Sequence, residues 1–388
     1  MELYNAEWVG RLDVGVKTSG VMAKNAVGVT PPAGVARYFC DDAAIDARVT
    51  APLSDSTLAA RGVVCRICGG SSGSTHAVRE MMFGSGEVFH YFACGQCGCV
   101  QLIDAPADLS RFYPADYYSY AAPAERSGVR GLFRRYRNRG TFASHREFDG
   151  ATRHTPRALE RALPYPIPGA SDWMARLGAH RESRILDVGS GSGALLLDLA
   201  SAGYTRLVGA DPFIANDIAH PSGVRILKRA LSELDEMFDV IMLHHAFEHM
   251  PDPSAALNAI ASHLAPDGTC LMRIPTTSSW AWEHYREHWV QLDAPRHFFI
   301  HSRRSIALLA ERSGLEIVDV VDDSTEFQFT GSELYQRGRS LSELATAYSR
   351  AELREYRRRA DQLNREHRGD QAAFYLRRSS SVPSRSRV

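Results

Sequence analysis

The sequence predicts an α/β protein: a doubly wound, parallel sheet with helices on both faces, preceded by a small unit built on cysteine pairs. Three observations predict it. Short aliphatic segments alternate with helical stretches of about ten residues between 184 and about 330. The first of those segments runs into three glycines at alternate positions. Two Cys-x-x-Cys pairs stand ahead of it all.

The elements follow in order. Arg184–Val188 is a short β-branched and aliphatic strand, and Ala194–Ala202 an apolar helix. Arg206–Ala210 and Val224–Leu227 read as the second and third strands, and Phe238–Leu243 as the fourth. A helix over Pro253–Leu264, a fifth strand Thr269–Ile274, a helix Arg303–Ser313 and a sixth strand Leu315–Val321 complete the alternation. Thr325–Thr330 is expected as a seventh strand. Such alternation implies a parallel sheet buried on both faces.

Around this core the chain divides further. Residues 1–60 show no sustained period and are expected to be loosely attached, and 61–120 hold the cysteine pairs and an aromatic run. Residues 121–170 form a basic, helical linker ending in Pro164, Pro166 and Pro168. The α/β unit is expected over 171–335. Residues 336–388 read as a charged helical tail with a disordered Ser/Arg-rich end.

Composition narrows the partners. The 388 residues carry 45 basic and 45 acidic side chains, so no general electrostatic grip on nucleic acid is expected. No apolar run reaches the roughly 18 residues of a membrane span. The opening residues lack a basic start followed by an apolar block, so no secretory signal is expected. Four of the seven cysteines lie in the two pairs, which without export favours metal over disulfides and a reducing cytoplasm.

The segment Arg184-Ile185-Leu186-Asp187-Val188-Gly189-Ser190-Gly191-Ser192-Gly193 takes a strand straight into a helix. Glycine tolerates positive φ and lets a ligand approach the backbone. The helix start offers free N–H groups suited to a carboxylate. A dinucleotide fingerprint reads G-x-G-x-x-G; this one reads D-x-G-x-G-x-G. Asp211, followed by Pro212, closes the next strand, where an acid can accept hydrogen bonds from both ribose hydroxyls. Against this stands a plain nicotinamide-binding or structural βα unit, which the register of Asp211 disfavours.

With these residues in place, the stretch 184–321 resembles the class I S-adenosylmethionine-dependent methyltransferases, whose sheet is Rossmann-like and seven-stranded. Phe238-Asp239-Val240-Ile241 and the following His244-His245-Ala246-Phe247-Glu248-His249-Met250-Pro251-Asp252-Pro253 are similar to a second landmark of that family. The resemblance implies that Asp187, Gly189, Ser190, Gly191 and Gly193 hold the methionine portion of S-adenosyl-L-methionine. It gives the ribose to Asp211 with Pro212, and a lining role to His244 and Glu248. The loop Lys228-Arg229-Ala230-Leu231 lacks the acid that many relatives place on the adenine amine.

Cys65-Arg66-Ile67-Cys68 and Cys94-Gly95-Gln96-Cys97 supply four thiolates, matching a closed tetrahedral Zn²⁺ shell. Gly69 and Gly98 give the turns such knuckles need. Cys99 reads as a core residue. The alternative is four ordinary cysteines or a redox dithiol. Together with Phe112-Tyr113-Pro114-Ala115-Asp116-Tyr117-Tyr118, the pairs resemble the zinc ribbon of bacterial methyltransferases that serve polysaccharide and sugar-nucleotide pathways.

Methyl transfer needs an aligned nucleophile, exclusion of water and an acceptor for a proton. The loop Trp289-Val290-Gln291-Leu292-Asp293-Ala294-Pro295-Arg296-His297 follows the fifth strand and is similar to a segment of the zinc-ribbon relatives. His297 is the expected general base, because imidazole titrates near neutrality. Asp293 would orient it or bind a substrate hydroxyl. Arg296 would suit a phosphate of a sugar nucleotide or lipid carrier. The competing reading is that His297 only holds the loop together. Trp280, Trp282, Tyr285 and Trp289 either stack on a sugar or pack a lid. His245, Glu248 and His249 either bind a divalent metal or begin a helix that lines the cofactor pocket.

The expected acceptor is a sugar, sugar nucleotide or related small molecule. Sugar C-methylating relatives carry a Glu-His pair where this chain has Arg296-His297, which favours O-methylation over C-methylation. Arg126, Arg130, Arg134, Arg135, Arg137 and Arg139 either contact phosphates or an anionic membrane surface, or form a solvated helix face. Two other classes compete: an RNA methyltransferase that grips nucleic acid with the ribbon, and a non-catalytic scaffold. The ribbon's lack of clustered Lys/Arg opposes the first, and the intact glycine turn with Asp211 opposes the second.

Overall fold

The computed structural model describes residues 62–113 and 170–379. Residues 1–60, the aromatic run from 114 to 120, the basic stretch with Arg126–Arg139 and the Ser/Arg-rich end lie outside these. Two sheets organise the described chain. The larger contains β4 (Arg184–Val188), β5 (Arg206–Ala210), β6 (Ile218–Ala219), β7 (Arg225–Leu227), β8 (Phe238–His244), β9 (Leu264–Pro275), β11 (Leu315–Asp322) and β12 (Gln371–Arg378). Their order is β11-β12-β9-β8-β4-β5-β7-β6.

The chain enters at the middle of this sheet. It moves outward through β5 and β7, then crosses back to place β8 on the other side of β4, all in parallel. The reversal leaves a crevice at the carboxyl ends of β4 and β8, where open α/β sheets seat their ligands. Alternation along the strands buries both faces. Leu186, Ile241, Met272 and Phe374 enter one core, and Ile185, Val240, Leu271 and Tyr375 the other. Helices α1 (Ala170–Arg176), α2 (Ala194–Ala202), α3 (Pro253–His263), α4 (Trp280–Tyr285) and α5 (Arg303–Arg312) connect the strands. Asp252 caps α3 by accepting from the Ala255 amide, and Ser302 caps α5 by accepting from Ser305.

Three expectations are corrected. The sheet is mixed and has eight strands, because β12 runs antiparallel between β9 and β11 and β6 forms an antiparallel edge with β7. Thr325–Thr330 is not a strand. Phe327–Gln336 is helix α6, whose Gln328, Phe329, Thr330, Ser332, Leu334 and Tyr335 are all buried; the Thr-x-Phe-x-Phe alternation imitates a strand because this helix is enclosed on most sides. The tail does contain a charged helix, Arg350–Arg365 (α8, after the short α7, Leu344–Ala347). It is followed by β12, however, so the α/β unit extends through at least Arg378.

The smaller sheet is antiparallel, in the order β1 (Gly73–Arg79), β2 (Val88–Cys94), β3 (Val100–Leu102) and β10 (Phe299–Ile300). Its last strand comes from the loop after β9, more than two hundred positions away from β1. Phe299 pairs with Gln101 and Ile300 with Val100. The cysteine-bearing unit is thus sewn to the loop that carries His297. Among the described residues, no helix is long and apolar enough to cross a membrane.

Candidate active site

The glycine turn leaves β4 in three positive-φ steps, Gly189 at 72°, Gly191 at 52° and Gly193 at 82°. A Cβ on Gly189 would stand 2.7 Å from the Ala246 Cβ, and one on Gly193 2.5 Å from the Ile226 Cδ1. Side chains are therefore excluded, and the backbone lies open as a cradle. Asp211, at the end of β5, accepts from the Gly191 amide and the Phe213 amide, each at 2.9 Å. It sits beside the turn as expected, and it also shapes it. Burial pushes the Asp211 carboxyl up against the lowering effect of those two amides. Asp187, also buried, is driven up to about 8 by burial first and by the Asp211 charge second.

Pro212 is half-buried at the mouth of the turn, and Phe213 beside it is exposed. The Ser190 Oγ is buried and has no hydrogen-bond partner. The same holds for the His244 Nε2, whose ring lies 4.7 Å from Trp173 of α1. These orphaned polar atoms and the Cβ-free cradle fit a polar ligand seated on the turn. Trp173 and Phe213 escaped the sequence reading, since neither stands in a motif.

Beyond His244 the chain turns sharply at His245 (φ 51°) into Phe247–His249. His245 donates from Nδ1 to the Glu248 Oε1 at 3.2 Å and accepts at Nε2 from the Arg273 guanidinium at 3.1 Å. Glu248 is fully buried, and its Oε2 has no partner. Burial pushes its carboxyl up, but the His245 bond and the neighbouring histidines outweigh this and hold it at about 2. The expected metal trio changes: the residues that converge are Glu248, His249 and His297, each with a ligand atom within 4.8 Å of the others. His245 instead holds Glu248 in place.

His297 and His249 meet edge to face, ring centroids 4.5 Å apart. The His297 Nδ1 faces the Gln291 carbonyl at 2.8 Å, and the His249 Nδ1 the Arg296 carbonyl at 2.9 Å. A carbonyl only accepts, so each Nδ1 donates, and in the neutral ring the unshared pair then lies on Nε2. Burial first, then the charge of His297, lowers His249 to about 4. Asp293, itself at φ 37°, lies 3.8 Å from the His297 Nε2. Its carboxylate is taken by Arg296 through Nη2 at 2.6 Å and Nε at 3.0 Å. Burial raises Asp293, but the Arg296 charge and hydrogen bonds outweigh it.

Arg296 does not sit where a substrate phosphate would meet it. It is wholly buried, and its Nη2 also reaches the Glu80 carboxylate of the cysteine unit at 3.1 Å. The fork expected to bind phosphate joins two parts of the chain. The aromatic residues resolve in the same way. Trp282, Tyr285 and Trp289 are buried, with the Trp289 Nε1 donating to Asp370 at 3.1 Å, and Arg359 covers Trp280 at 4.1 Å. They pack a lid and leave no open face for a sugar.

Cys65, Cys68, Cys94 and Cys97 converge, with Sγ separations of 3.5 Å for 65–97 and for 68–94 and all four within 4.8 Å. A tetrahedron with Zn–S near 2.3 Å has edges of about 3.8 Å, so the set fits a Zn²⁺ ion. Gly69 and Gly98 take positive φ after the two knuckles, as their positions suggested. Cys99 stays outside the cluster, buried near His301. None of the six described cysteines forms a disulfide.

Comparison with known proteins agrees with this geometry. Residues 154–320 match the model of a family described as a methyltransferase domain. The chain is 29% identical over 160 residues to C-methyltransferase NovU of Streptomyces niveus, covering 37% of this chain and 36% of that protein. It is 37% identical over 95 residues to a ubiquinone biosynthesis O-methyltransferase of Ruegeria pomeroyi, covering 22% and 38%. The match thus spans little more than a third of either relative. Among solved structures, the CcbJ methyltransferase of Streptomyces caelestis is similar at 13% identity, with 57% of this chain and 96% of that one covered and a TM-score of 0.34. Residues 154–320 thus carry a methyltransferase domain.

Proposed function

We propose that the chain transfers a methyl group from S-adenosylmethionine to a hydroxyl of a sugar, a sugar nucleotide or a related small molecule of a glycan pathway. The observation that carries the cofactor half is the Asp211 carboxylate bonded into the glycine turn at the switch point of the sheet. Gly189, Ser190, Gly191 and Gly193 would hold the methionine portion, Asp211 with Pro212 the ribose, and His244 the inner wall. Asp187 sets an acidic floor beneath them, and Phe213 offers an apolar face to the adenine. When bound, S-adenosylmethionine supplies a methyl group activated on a sulfonium.

The acceptor half rests on His297. Its ring is fixed by the Gln291 carbonyl and keeps a lone pair on Nε2, the feature required to activate an acceptor hydroxyl. Asp293, turned away by Arg296, orients the loop and not the imidazole. Arg296 is a positioning residue in this reading. Transfer to oxygen is preferred to transfer to carbon because Arg296 occupies the place of the acid in sugar C-methylating relatives, and its charge is neutralised by Glu80 and Asp293. Four cysteines hold a structural Zn²⁺ in a ribbon, as thiolates that a reducing cytoplasm would preserve. The zero net charge supports a small-molecule acceptor over RNA.

Calorimetry with S-adenosylmethionine tests the first half: binding is expected, weakened at least about tenfold by Asp211→Ala. No binding, or binding that Asp211→Ala leaves unchanged, overturns it. Turnover of labelled S-adenosylmethionine with a panel of sugars and sugar nucleotides tests the second, with nuclear magnetic resonance distinguishing O-methyl from C-methyl products. Full turnover by His297→Ala would remove His297 from the acceptor site.

A further inference from the structure

We propose that Glu248, His249 and His297 form a second metal site, separate from the four cysteines, that takes a divalent cation of the zinc class. Three observations lead there. A ligand atom of each residue lies within 4.8 Å of the others, a spacing one ion can span. Both imidazoles spend their Nδ1 proton on a backbone carbonyl, Gln291 for His297 and Arg296 for His249. That arrangement fixes the tautomer and orients the ring, as the outer partners of metal-bound histidines do. No hydrogen bond joins the two rings, so neither Nε2 pair is used by the other.

The third observation is Glu248. Its Oε1 is held by His245, which is held in turn by Arg273, while its Oε2 is buried with no hydrogen-bond partner among the described residues. A buried carboxylate oxygen without a donor is costly, and a cation beside it removes the cost. The support extends one residue further on each side. His245 and Asp293 both adopt left-handed backbone conformations that non-glycine residues rarely keep unless the site demands them.

The donor set names the metal. Two imidazole nitrogens and one carboxylate suit Zn²⁺ or its neighbours Co²⁺ and Ni²⁺, whereas Mg²⁺ and Ca²⁺ prefer all-oxygen shells. Three protein ligands leave a coordination position open, the pattern of catalytic sites as opposed to structural ones. His249 is half-buried and gives the cluster its access to solvent. With an ion bound, the His297 Nε2 pair is spent on the metal, so the ion, in place of the imidazole, would polarise an acceptor hydroxyl at the open position; that use, unlike the metal site itself, rests on the methyl-transfer reading above.

The experiment is metal analysis of the full chain, stripped with chelator and refilled with Zn²⁺ and, separately, with Co²⁺. The wild-type chain is expected to hold about two equivalents, and Glu248→Gln or His297→Gln about one. The double variant Cys65→Ser/Cys94→Ser is expected to keep the second equivalent, with a Co²⁺ spectrum lacking thiolate charge-transfer bands. X-ray absorption on the wild-type zinc form, which needs no variant to fold, is expected to show a nitrogen/oxygen shell beside the sulfur shell. A single equivalent with a sulfur-only shell overturns the proposal, as do two equivalents retained by both Glu248→Gln and His297→Gln. Calorimetry with S-adenosylmethionine on the same samples separates the readings. Cofactor binding with one metal sinks only the second site, and two metals without cofactor binding sink only the methyl-transfer reading.

Discussion

Arg296 and Glu80 meet at 3.1 Å with both side chains fully buried, one from the loop after β9 and the other from the hairpin between β1 and β2. The pair joins the cysteine unit to the loop that presents His297. It is reinforced by Tyr91, whose hydroxyl donates to the His297 carbonyl at 2.9 Å, and by the Phe298 carbonyl accepting from the Leu102 amide at 2.9 Å. The small domain is therefore part of the wall of the candidate site.

Removing Glu80 takes one of two carboxylates from the buried guanidinium, which keeps Asp293. Glu80→Leu is expected to destabilise the chain by about 1–3 kcal/mol. Glu80 also accepts from the Phe83 and Ser85 amides, so part of the loss falls on the hairpin. Glu80→Leu combined with Arg296→Met is expected to cost less than the sum of the single changes. Denaturant melts of the four proteins measure the coupling, and strict additivity would count against the pair.

The cysteines should control the loop as well as the ribbon. The Cys97 carbonyl accepts from Ser302, and the Gly98 carbonyl from Thr277 at 2.7 Å. Losing metal by Cys65→Ser with Cys94→Ser is expected to lower amide-exchange protection across 297–302 as well as across 88–102. Exchange measured by mass spectrometry would show protection unchanged at 297–302 if the two parts were independent.

Asp187 predicts a pH dependence of cofactor binding. Burial and the Asp211 charge place its carboxyl at about 8 in the free protein, so near neutral pH it is largely protonated. A ligand bearing positive charge favours the ionised form and must release that proton on binding. Affinity therefore rises with pH below about 8, by at most about tenfold per unit, and levels off above it. Calorimetry in buffers of different ionisation enthalpy should detect the released proton near pH 7. Asp187→Asn is expected to flatten the profile.

Much of this is legible in the sequence alone. Gly189, Gly191, Gly193 and Asp211 carry their geometry in their spacing, because only glycine accepts the positive φ of the turn and only a short acid at the end of β5 can reach its amides. The four cysteines are equally explicit. What escaped depends on distant partners. Nothing near Arg296 announces Glu80, so a guanidinium beside a candidate base reads as a phosphate ligand until its counterion is seen. The pairing of His249 with His297 needs the loop after β9 folded back over the end of β8. Phe299–Ile300 is too short to read as a strand, and its partner, Val100-Gln101, lies nearly two hundred positions earlier in the cysteine unit.

The last element shows the same effect on stability. Gln371-Ala372-Ala373-Phe374-Tyr375-Leu376 is an apolar run behind a strongly charged helix, and its position near the chain's end made it read as tail. It lies between β9 and β11, with Phe374 opposite Met272 on one side and Val320 on the other, fully buried. A strand inserted there closes the hydrogen-bonding edges of both neighbours, so it is central to the sheet. Phe374→Ala opens a cavity in the core shared with Met272 and Ile274 and is expected to cost about 3–5 kcal/mol. Arg354→Ala, on the exposed face of the preceding helix, should cost within about 0.5 kcal/mol. Thermal and denaturant melts compare them; near-equal losses would mean that this strand does not contribute to the folded core.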